Sequence, residues 1–289
     1  MADPVIEMSG LTRWFGRRRA CTDLTLRVPR GSVFAFVGRN GAGKSTAIRM
    51  LLGLLEPTRG QARVLGHDSR ALPPEVRARI GYLAENHPAY PRMTVEEHAR
   101  LQARHFPTWR PDVFARTCSE FGIEPRAKAG HLSRGTSRRA LLEAVVEYTR
   151  RKDRTVFLSS HLLADVERVA DYIAVLDGGV LRACASIETF LRHVRQYALR
   201  FEGVLPETPQ FPGLLASTVV GDELRLTVVA RGEAIPPSVR DLASSIGGRG
   251  EALPPIEEVP LSFEDSLLAY IGRRRASGIR ILDQLGGDA

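Results

Sequence analysis

The sequence lacks long apolar runs and contains few lysines, aromatic residues and cysteines. No segment approaches the roughly 18 to 20 apolar residues that a transmembrane helix needs. The first residues, MADPVIEM, do not combine a basic region with an apolar one, so we expect no signal peptide. Cys21, Cys118 and Cys184 are widely spaced, odd in number and without a CxxC pair, which favours reduced thiols and a cytosolic setting.

The net charge of +8 comes almost entirely from arginine, because only three of the 41 basic residues are lysines. A basic chain is often a nucleic-acid-binding chain. These arginines, however, are spread along the whole sequence, and neither an aromatic–basic platform nor a zinc-finger spacing accompanies them. We therefore expect no nucleic-acid partner. The 289 residues, 43% of them hydrophobic, suffice for one large domain or two ordinary ones.

The most specific pattern is GRNGAGKST over residues 38–46, which matches the phosphate-binding loop G-x-x-x-x-G-K-[ST]. It lies between an apolar, β-prone run, Val33–Val37, and a helical run, Ala47–Leu55, as this loop requires. Glycines let backbone N–H groups turn toward phosphates, and the helix N-terminus adds partial positive charge. Lys44 is predicted to reach the β- and γ-phosphates of ATP, and the Ser45 hydroxyl to help hold Mg²⁺. The nucleotide-binding residues predicted here are Gly38, Asn40, Gly41, Gly43, Lys44, Ser45 and Thr46.

Strand and helix signals alternate on both sides of this loop. The further strands expected are Val5–Met8, Leu24–Val28, Gln61–Leu65, Ile80–Leu83 and Thr155–Ser159. The helices expected are 94–104, which opens on a Thr94–Glu97 capping box, Pro111–Phe121, Ser133–Lys152 and Leu162–Tyr172. Ile173–Leu181 is expected to form a hairpin at Gly178 and Gly179. The alternation predicts an α/β fold with a mainly parallel sheet, and the phosphate loop makes it a P-loop NTPase.

The pattern changes in the last third of the chain. Tyr197–Gly203 and Leu224–Ala230 alternate as strands, and prolines interrupt the segments around them. Leu261–Gly272 is amphipathic, with Ser262 as its predicted N-cap. These signals predict a small α+β C-terminal accessory domain at residues 196–289, following a nucleotide-binding domain at residues 1–195.

Four short segments accompany the phosphate loop: RWFG at 13–16, IGYLAEN at 80–86, LSRGT at 132–136 and SHL at 160–162. With the phosphate loop they make residues 1–195 resemble the ATP-binding subunit of ABC transporters. The tail resembles the accessory domain of subunits that serve ABC-2-type exporters. The resemblance implies a helical subdomain beside the mainly parallel sheet. It also implies ATP and Mg²⁺ as cofactors, and a homodimer or a heterodimer with another ATP-binding subunit. It also implies a membrane permease as partner and a cytoplasmic location, peripheral on the inner face of the cell membrane.

The resemblance assigns two residues to the base and the metal ion. An aromatic residue of the family stacks on adenine, and Phe15 is the first choice for that position, with Trp14 second. The alternative for Phe15 is an ordinary half-buried aromatic near a strand end. Glu85 stands where the family's Q-loop usually has Gln; a carboxylate can bind Mg²⁺, and a solvated surface side chain is the alternative.

Three further residues match positions that the family places at the γ-phosphate. Ser133 and Gly135 match the LSGGQ signature, which contacts ATP bound to the opposite subunit, although Arg134 and Thr136 depart from it. His161 matches the switch histidine, which would contact the γ-phosphate and orient the attacking water. A plain helix N-cap at Ser133 and a structural His161 are the alternatives.

One family element is missing, the Walker B strand with its Mg²⁺-supporting Asp and catalytic Glu. Ser133 and His161 are only 28 residues apart (161 minus 133), and no apolar run between them ends in Asp-Glu. The resemblance thus implies an internal deletion near 136–140 that removes one strand of the sheet. Ile173–Asp177 (IAVLD) is followed by two glycines and is expected to be structural. The possible functions are therefore an export ATPase subunit, a hydrolysis-deficient nucleotide-binding regulatory module or a non-functional deletion product, with a small-molecule kinase more remote.

Overall fold

The computed structural model describes residues 3–83, 90–106, 109–131, 154–160, 163–200, 210–230, 234–246, 255–272 and 281–282. Contacts between residues divide the chain into two units. One unit combines Met1–Arg70 with Lys152–Ala289, and the other is Ala71–Arg151. The first unit thus contains both the phosphate loop and the tail.

Two sheets of the first unit frame the phosphate loop. The first is antiparallel, with strand order β2-β1-β4-β5, and consists of β1 (Ile6–Phe15), β2 (Arg18–Val28), β4 (Arg59–Val64) and β5 (His67–Asp68). The second has the order β13-β8-β7-β3-β6 and consists of β3 (Val33–Val37), β6 (Val156–Ser160), β7 (Tyr172–Asp177), β8 (Val180–Ser186) and β13 (Ile281–Leu282). β3 is parallel to both of its neighbours, β6 and β7, whereas β7 and β8 form an antiparallel hairpin.

β3 is an interior strand of the second sheet, between β7 and β6. All five of its residues are buried, as expected for an uninterrupted apolar strand in a parallel arrangement. The Phe157 ring on β6 lies 5.7 Å from the Phe34 ring and 5.5 Å from the Phe36 ring, measured between centroids. This packing fixes the strand from which the phosphate loop departs.

The helices lie between strands in the order of the chain. They are α1 (Lys44–Leu51), α2 (Pro74–Arg77), α3 (Val95–Ala103), α4 (Pro111–Glu120), α5 (Leu163–Val169), α6 (Ile187–His193), α7 (Pro237–Ile246) and α8 (Phe263–Gly272). Among the helices that the structure describes, none combines the length and apolar character needed to cross a bilayer.

The tail forms a third, antiparallel sheet with the order β10-β11-β9-β12. Its strands are β9 (Val194–Arg200), β10 (Leu214–Val220), β11 (Glu223–Val229) and β12 (Ile256–Val259). Val239 and Ala243 of α7 are fully buried against Tyr197 and Leu226 of this sheet. The predicted domain boundary between residues 195 and 196 falls within β9 and remains a prediction.

The tail helix α8 is part of the core that supports β3. Phe263 and Leu267 share one buried cluster with Val37 at the end of β3 and Val166 of α5. The Tyr270 hydroxyl donates a hydrogen bond to the Arg182 carbonyl oxygen of β8 at 2.7 Å. As predicted, the Ser262 hydroxyl caps α8 by accepting a hydrogen bond from the Asp265 amide at 3.0 Å.

The second unit is helical over its described residues, as the prediction of a helical subdomain requires. The capping box of α3 is confirmed, because the Glu97 amide donates to the Thr94 hydroxyl at 3.1 Å and the Thr94 amide to the Glu97 carboxylate at 2.7 Å. The neighbouring loop covers the same helix end, where the Val95 amide donates to the Ala127 carbonyl oxygen at 3.0 Å.

One predicted strand is wrong. The strand expected at Ile80–Leu83 is absent, and these residues have no regular structure in the part of the chain that the structure describes. The sheet that contains β3 is mainly parallel, since three of its four strand pairs are parallel, but the nucleotide-binding part also has an antiparallel sheet that the sequence did not predict. Short hairpin connections explain this, since parallel neighbours need long crossovers. The helix predicted at Ser133–Lys152 lies outside the described residues, and the loss of a strand there remains a prediction.

Candidate functional site

The phosphate loop joins β3 to α1 along a path that its glycines make possible. A Cβ atom added to Gly38 would overlap the backbone carbonyl oxygen of Leu176 on β7. Gly43 has φ 106°, and a Cβ there would overlap the carbonyl oxygen of Ala20 on β2. Both positions therefore need glycine for reasons of space, and Gly43 also for its backbone conformation.

The start of α1 is free of the groups that would compete with an anion. Its N-cap, Gly43, has no side chain, and the first turn contains no acidic residue. The Ala47 amide is the first to bond back along the helix, to the Gly43 carbonyl oxygen at 2.9 Å. The amides before it are those that a helix leaves without an intrahelical acceptor, and they carry the positive end of the helix dipole.

The Lys44 side chain forms hydrogen bonds to the backbone of its own loop. Its ammonium group donates to the Gly38 carbonyl oxygen at 2.6 Å and to the Arg39 carbonyl oxygen at 3.1 Å. The Ala42 amide also donates to the Arg39 carbonyl oxygen, at 3.0 Å. The cation is thus held at the centre of a ring of backbone groups, where phosphate oxygens are the natural acceptors.

The turn of the β7–β8 hairpin supports the phosphate loop through backbone hydrogen bonds. The Gly179 amide donates to the Ala42 carbonyl oxygen at 3.0 Å, and the Thr22 amide donates to the Gly179 carbonyl oxygen at 2.8 Å. Cys21 fills the space beneath Gly43, and its thiol donates to the Gly43 carbonyl oxygen at 3.4 Å. Burial raises the pKa of this thiol from 9.0 to about 12, and a hydrogen bond from the Ala47 amide opposes only part of that rise.

The two aromatic candidates at the end of β1 have different surroundings. The Arg13 guanidinium lies 4.7 Å from the centre of the Phe15 ring, and Phe15 is 47% exposed. The Trp14 ring instead has guanidinium groups of Arg19 and Arg59 at 5.8 and 5.3 Å. The Trp14 ring is thus contacted by two guanidinium groups and is partly buried, whereas Phe15 is contacted by one and is exposed, which leaves Phe15 more surface for a base.

Arg13 is anchored as well as stacked. Its guanidinium donates to the Glu56 carbonyl oxygen at 3.0 Å. The Arg13 Nε and the Trp14 Nε1 are buried without a hydrogen-bond partner in the described structure. Their cation–π contacts offset part of that cost, because a guanidinium held against a ring is stabilised by the ring's quadrupole.

The residues present fit a bound Mg²⁺ only in part. Mg²⁺ commonly takes one or two protein oxygens and completes its shell with phosphate oxygens and water. Ser45 is exposed beside the loop and can supply one such oxygen. Within the described ranges, no group of three or more His, Cys, Asp or Glu side chains could hold a metal ion by itself.

Four predicted site residues lie outside the described residues: Glu85, Ser133, Gly135 and His161. The structure places the seven phosphate-loop residues after β3, and Phe15 at the end of β1 in the first sheet. It also adds residues that the sequence analysis did not single out for the site, Cys21, Arg13 and Arg18. The strand pairing of β1 with β2, where Phe15 lies opposite Arg18, is the signal that could have found Arg18.

Comparisons with known proteins agree with this geometry. Residues 21–150 match the family model described as ABC transporter. The bacitracin transport ATP-binding protein BcrA of Bacillus licheniformis is 25% identical over 224 residues, which cover 67% of this chain and 73% of that protein. The probable multidrug ABC transporter ATP-binding protein YbhF of Escherichia coli is 43% identical over 99 residues, 34% of this chain but only 17% of YbhF.

Solved structures show the same likeness. The structure of an ATP-binding subunit of an ABC transporter is 27% identical, with a TM-score of 0.57, and the match covers 65% of this chain and 92% of that one. A nucleotide-free ATP-binding cassette is 20% identical with a TM-score of 0.52, which bears on the fold alone. The phosphate loop, its sheet and these matches make the chain similar to the ATP-binding domains of ABC transporters, with the family model matching residues 21–150.

Proposed function

We propose that this chain is the ATP-binding subunit of an ABC-type export system and binds MgATP to power a membrane permease. The observation that carries the proposal is the phosphate loop, in which the Lys44 cation and the start of α1, free of acidic residues, lie together. A triphosphate needs this combination of oriented amides and a lysine.

Each predicted site residue has one task in this proposal. Lys44 neutralises the β- and γ-phosphates, with Gly38, Asn40, Gly41, Gly43 and Thr46 forming the backbone cradle. The Ser45 hydroxyl binds Mg²⁺, which shields the phosphate charge when it is present. Phe15 stacks on adenine through its uncovered surface. Glu85 completes the metal site, and His161 orients the attacking water.

The partners follow from the resemblance and from the names of the relatives. Ser133 and Gly135 contact ATP bound to a second ATP-binding subunit, identical or different, so two chains enclose the nucleotide. The dimer works on the inner face of the cell membrane, bound to the permease. BcrA, by its name, serves bacitracin transport. The class that we propose for this chain is an ABC-2-type exporter.

A second function has its own supporting observation, the absence of an Asp-Glu pair after an apolar run between residues 136 and 160. Asp177 does not substitute for it, because the chain turns at Gly178 and the carboxylate lies 3.9 Å from the Arg182 guanidinium. Phosphoryl transfer depends on groups that position water and metal. A chain shortened by an internal deletion near 136–140 would bind nucleotide and regulate a partner without hydrolysing it.

The test is MgATP binding by the purified chain, compared between wild type, Lys44→Ala and Arg49→Ala. Arg49 is an exposed cation on the same helix but outside the loop, so it controls for net charge. We expect saturable binding in wild type and Arg49→Ala, and a loss of at least about tenfold in Lys44→Ala. No binding by the wild-type chain would refute both functions. Mg²⁺-dependent turnover of ATP by the chain alone would exclude the hydrolysis-deficient one.

A further inference from the structure

Three consecutive arginines, Arg17, Arg18 and Arg19, lie where β1 turns into β2, and each has a different environment. Arg19 faces the Trp14 ring. Arg17 belongs to the turn itself, and no contact of its side chain is found in the described structure. The Arg18 Nη2 lies 4.0 Å from the position that a Cβ atom on Gly41 would occupy. Of the three guanidinium groups, that of Arg18 is the one placed beside the phosphate loop.

The strand pairing explains this placement. Phe15 lies opposite Arg18, and Trp14 lies opposite Arg19. Because side chains alternate across a strand, opposite residues share a face and adjacent residues do not. Phe15 and Arg18 therefore lie on one face of the hairpin, and Trp14 and Arg19 on the other. The proposed base-stacking ring and the guanidinium at Gly41 belong to the same face.

Within the described residues, Arg18 has no anionic partner. It is exposed, and no ion pair or side-chain hydrogen bond involves it in the part of the chain that the structure describes. By contrast, Arg27 further along β2 lies 3.7 Å from the Glu7 carboxylate. A guanidinium kept beside a phosphate loop without a carboxylate has its five donors available for an incoming anion.

From these observations we infer that Arg18 is a further nucleotide-binding residue, which donates hydrogen bonds to the diphosphate part common to ATP and ADP. The inference rests on the proposed nucleotide binding. Gly41 lies in the loop between Gly38 and Lys44, so the Arg18 guanidinium lies beside the middle of the loop that would hold the phosphates. A planar guanidinium suits two phosphate oxygens at once, which a lysine cannot match.

This role predicts a specific dependence on Mg²⁺. The metal ion and a guanidinium both neutralise phosphate charge, so the contribution of Arg18 grows when Mg²⁺ is removed. It also predicts no dependence on the base, because the contact is with the diphosphate. Salt should weaken the interaction, since the group is exposed.

The experiment compares Arg18→Ala with Arg17→Ala, a neighbour of the same charge and exposure that lies in the turn. Binding of ADP and of inorganic pyrophosphate is measured by calorimetry, with Mg²⁺ and with EDTA. We expect Arg18→Ala to weaken both ligands by about tenfold in EDTA, less in Mg²⁺, and Arg17→Ala to weaken them less than twofold. Arg18→Lys should recover only part of the loss.

Pyrophosphate keeps the phosphate role separate from an indirect effect on Phe15. If Arg18→Ala weakens ADP but not pyrophosphate, Arg18 acts through the base and the inference is wrong. Another outcome is that the wild-type chain and Lys44→Ala bind nucleotide as proposed while Arg18→Ala and Arg17→Ala have the same affinity for ADP and pyrophosphate. In that case the inference is wrong and the proposed function stands. If the wild-type chain binds neither ADP nor pyrophosphate, both the inference and the proposed function are wrong. Circular dichroism and thermal unfolding confirm that each variant is folded.

Discussion

Two glycine-containing turns lie at the same end of the second sheet, one after β3 and the other after β7. The first, the phosphate loop, leaves the amides at the start of α1 available and holds a cation among its carbonyl oxygens. The second, at Gly178 and Gly179, uses its backbone groups to bind Ala42 and Thr22. Similar composition therefore serves two purposes, a ligand site and the support beneath it. The backbone partners distinguish them, not the glycines.

The largest expected effect comes from filling the space between the phosphate loop and β7 with a methyl group. Gly38→Ala places a methyl group on the Leu176 carbonyl oxygen, a backbone atom of β7 that cannot move without the strand. We expect a loss of about 3 kcal/mol or more in the free energy of unfolding, measured by urea denaturation, and loss of nucleotide binding.

Gly41→Ala is the matched control, because it lies in the same loop at φ 81° with its nearest neighbouring atom 4.0 Å away. Only its backbone conformation is unfavourable, which costs about 1 to 2 kcal/mol. Equal stability of the two variants would show that β7 does not restrict the loop.

The second prediction tests the supporting turn itself. A Cβ on Gly179 would lie 2.7 Å from the Ala20 carbonyl oxygen, whereas a Cβ on Gly178 would meet no atom within 4 Å. Both glycines have positive φ, so Gly178→Ala measures the conformational cost alone, about 1 to 2 kcal/mol. We expect Gly179→Ala to lose a further 1 to 2 kcal/mol or so by urea denaturation, and to weaken nucleotide binding through Ala42. A binding constant that is unchanged in Gly179→Ala would mean that the turn is not needed as a support.

The sequence predicted these two turns well because their signals are local. The apolar run before Gly38 and the glycine pair after IAVLD each define a strand and its end, and β3, β7 and β8 appear where expected. The strand at Ile80–Leu83 was predicted from only four residues and does not form. Short apolar runs cannot be distinguished from buried loop segments by their pattern.

The parts that the sequence did not predict depend on contacts between distant residues. Nothing local places α8 in the core beneath β3, since its partners Val37 and Val166 lie far away in the chain. The same holds for Arg18, whose distance to Gly41 follows from the pairing of β1 with β2 and from the position of the hairpin. Periodicity predicts which face of an element is apolar, but not what covers it.

The third prediction concerns Cys21, which lies beneath the loop. The unfolded chain releases this thiol proton near pH 9.0, whereas the folded chain keeps it up to about pH 12, because burial raises the pKa of the thiol. The unfolded state therefore binds fewer protons between these values, and stability is full below pH 9 and falls as the pH rises. The slope approaches roughly 1.4 kcal/mol per pH unit for this group.

Urea denaturation of wild type and Cys21→Ala between pH 8 and 10.5 isolates the contribution of Cys21, since the other titrating groups are common to both. We expect the difference in unfolding free energy between the two proteins to shrink as the pH rises. A difference that stays constant over this range would mean that the thiol is not protected beneath the phosphate loop.

The smallest expected effect separates a structural carboxylate from a metal ligand. Asp177 ends β7 in the way that a Walker B aspartate ends its strand, but it lies 3.9 Å from the Arg182 guanidinium and is partly exposed. If Asp177 only forms this ion pair, Asp177→Asn changes the unfolding free energy by less than about 1 kcal/mol. The Mg²⁺ dependence of ATP binding should also stay as in wild type, whereas Ser45→Ala should reduce it. A lower apparent Mg²⁺ affinity in Asp177→Asn would instead make the supporting turn part of the site, and the contrast between the two turns would no longer hold.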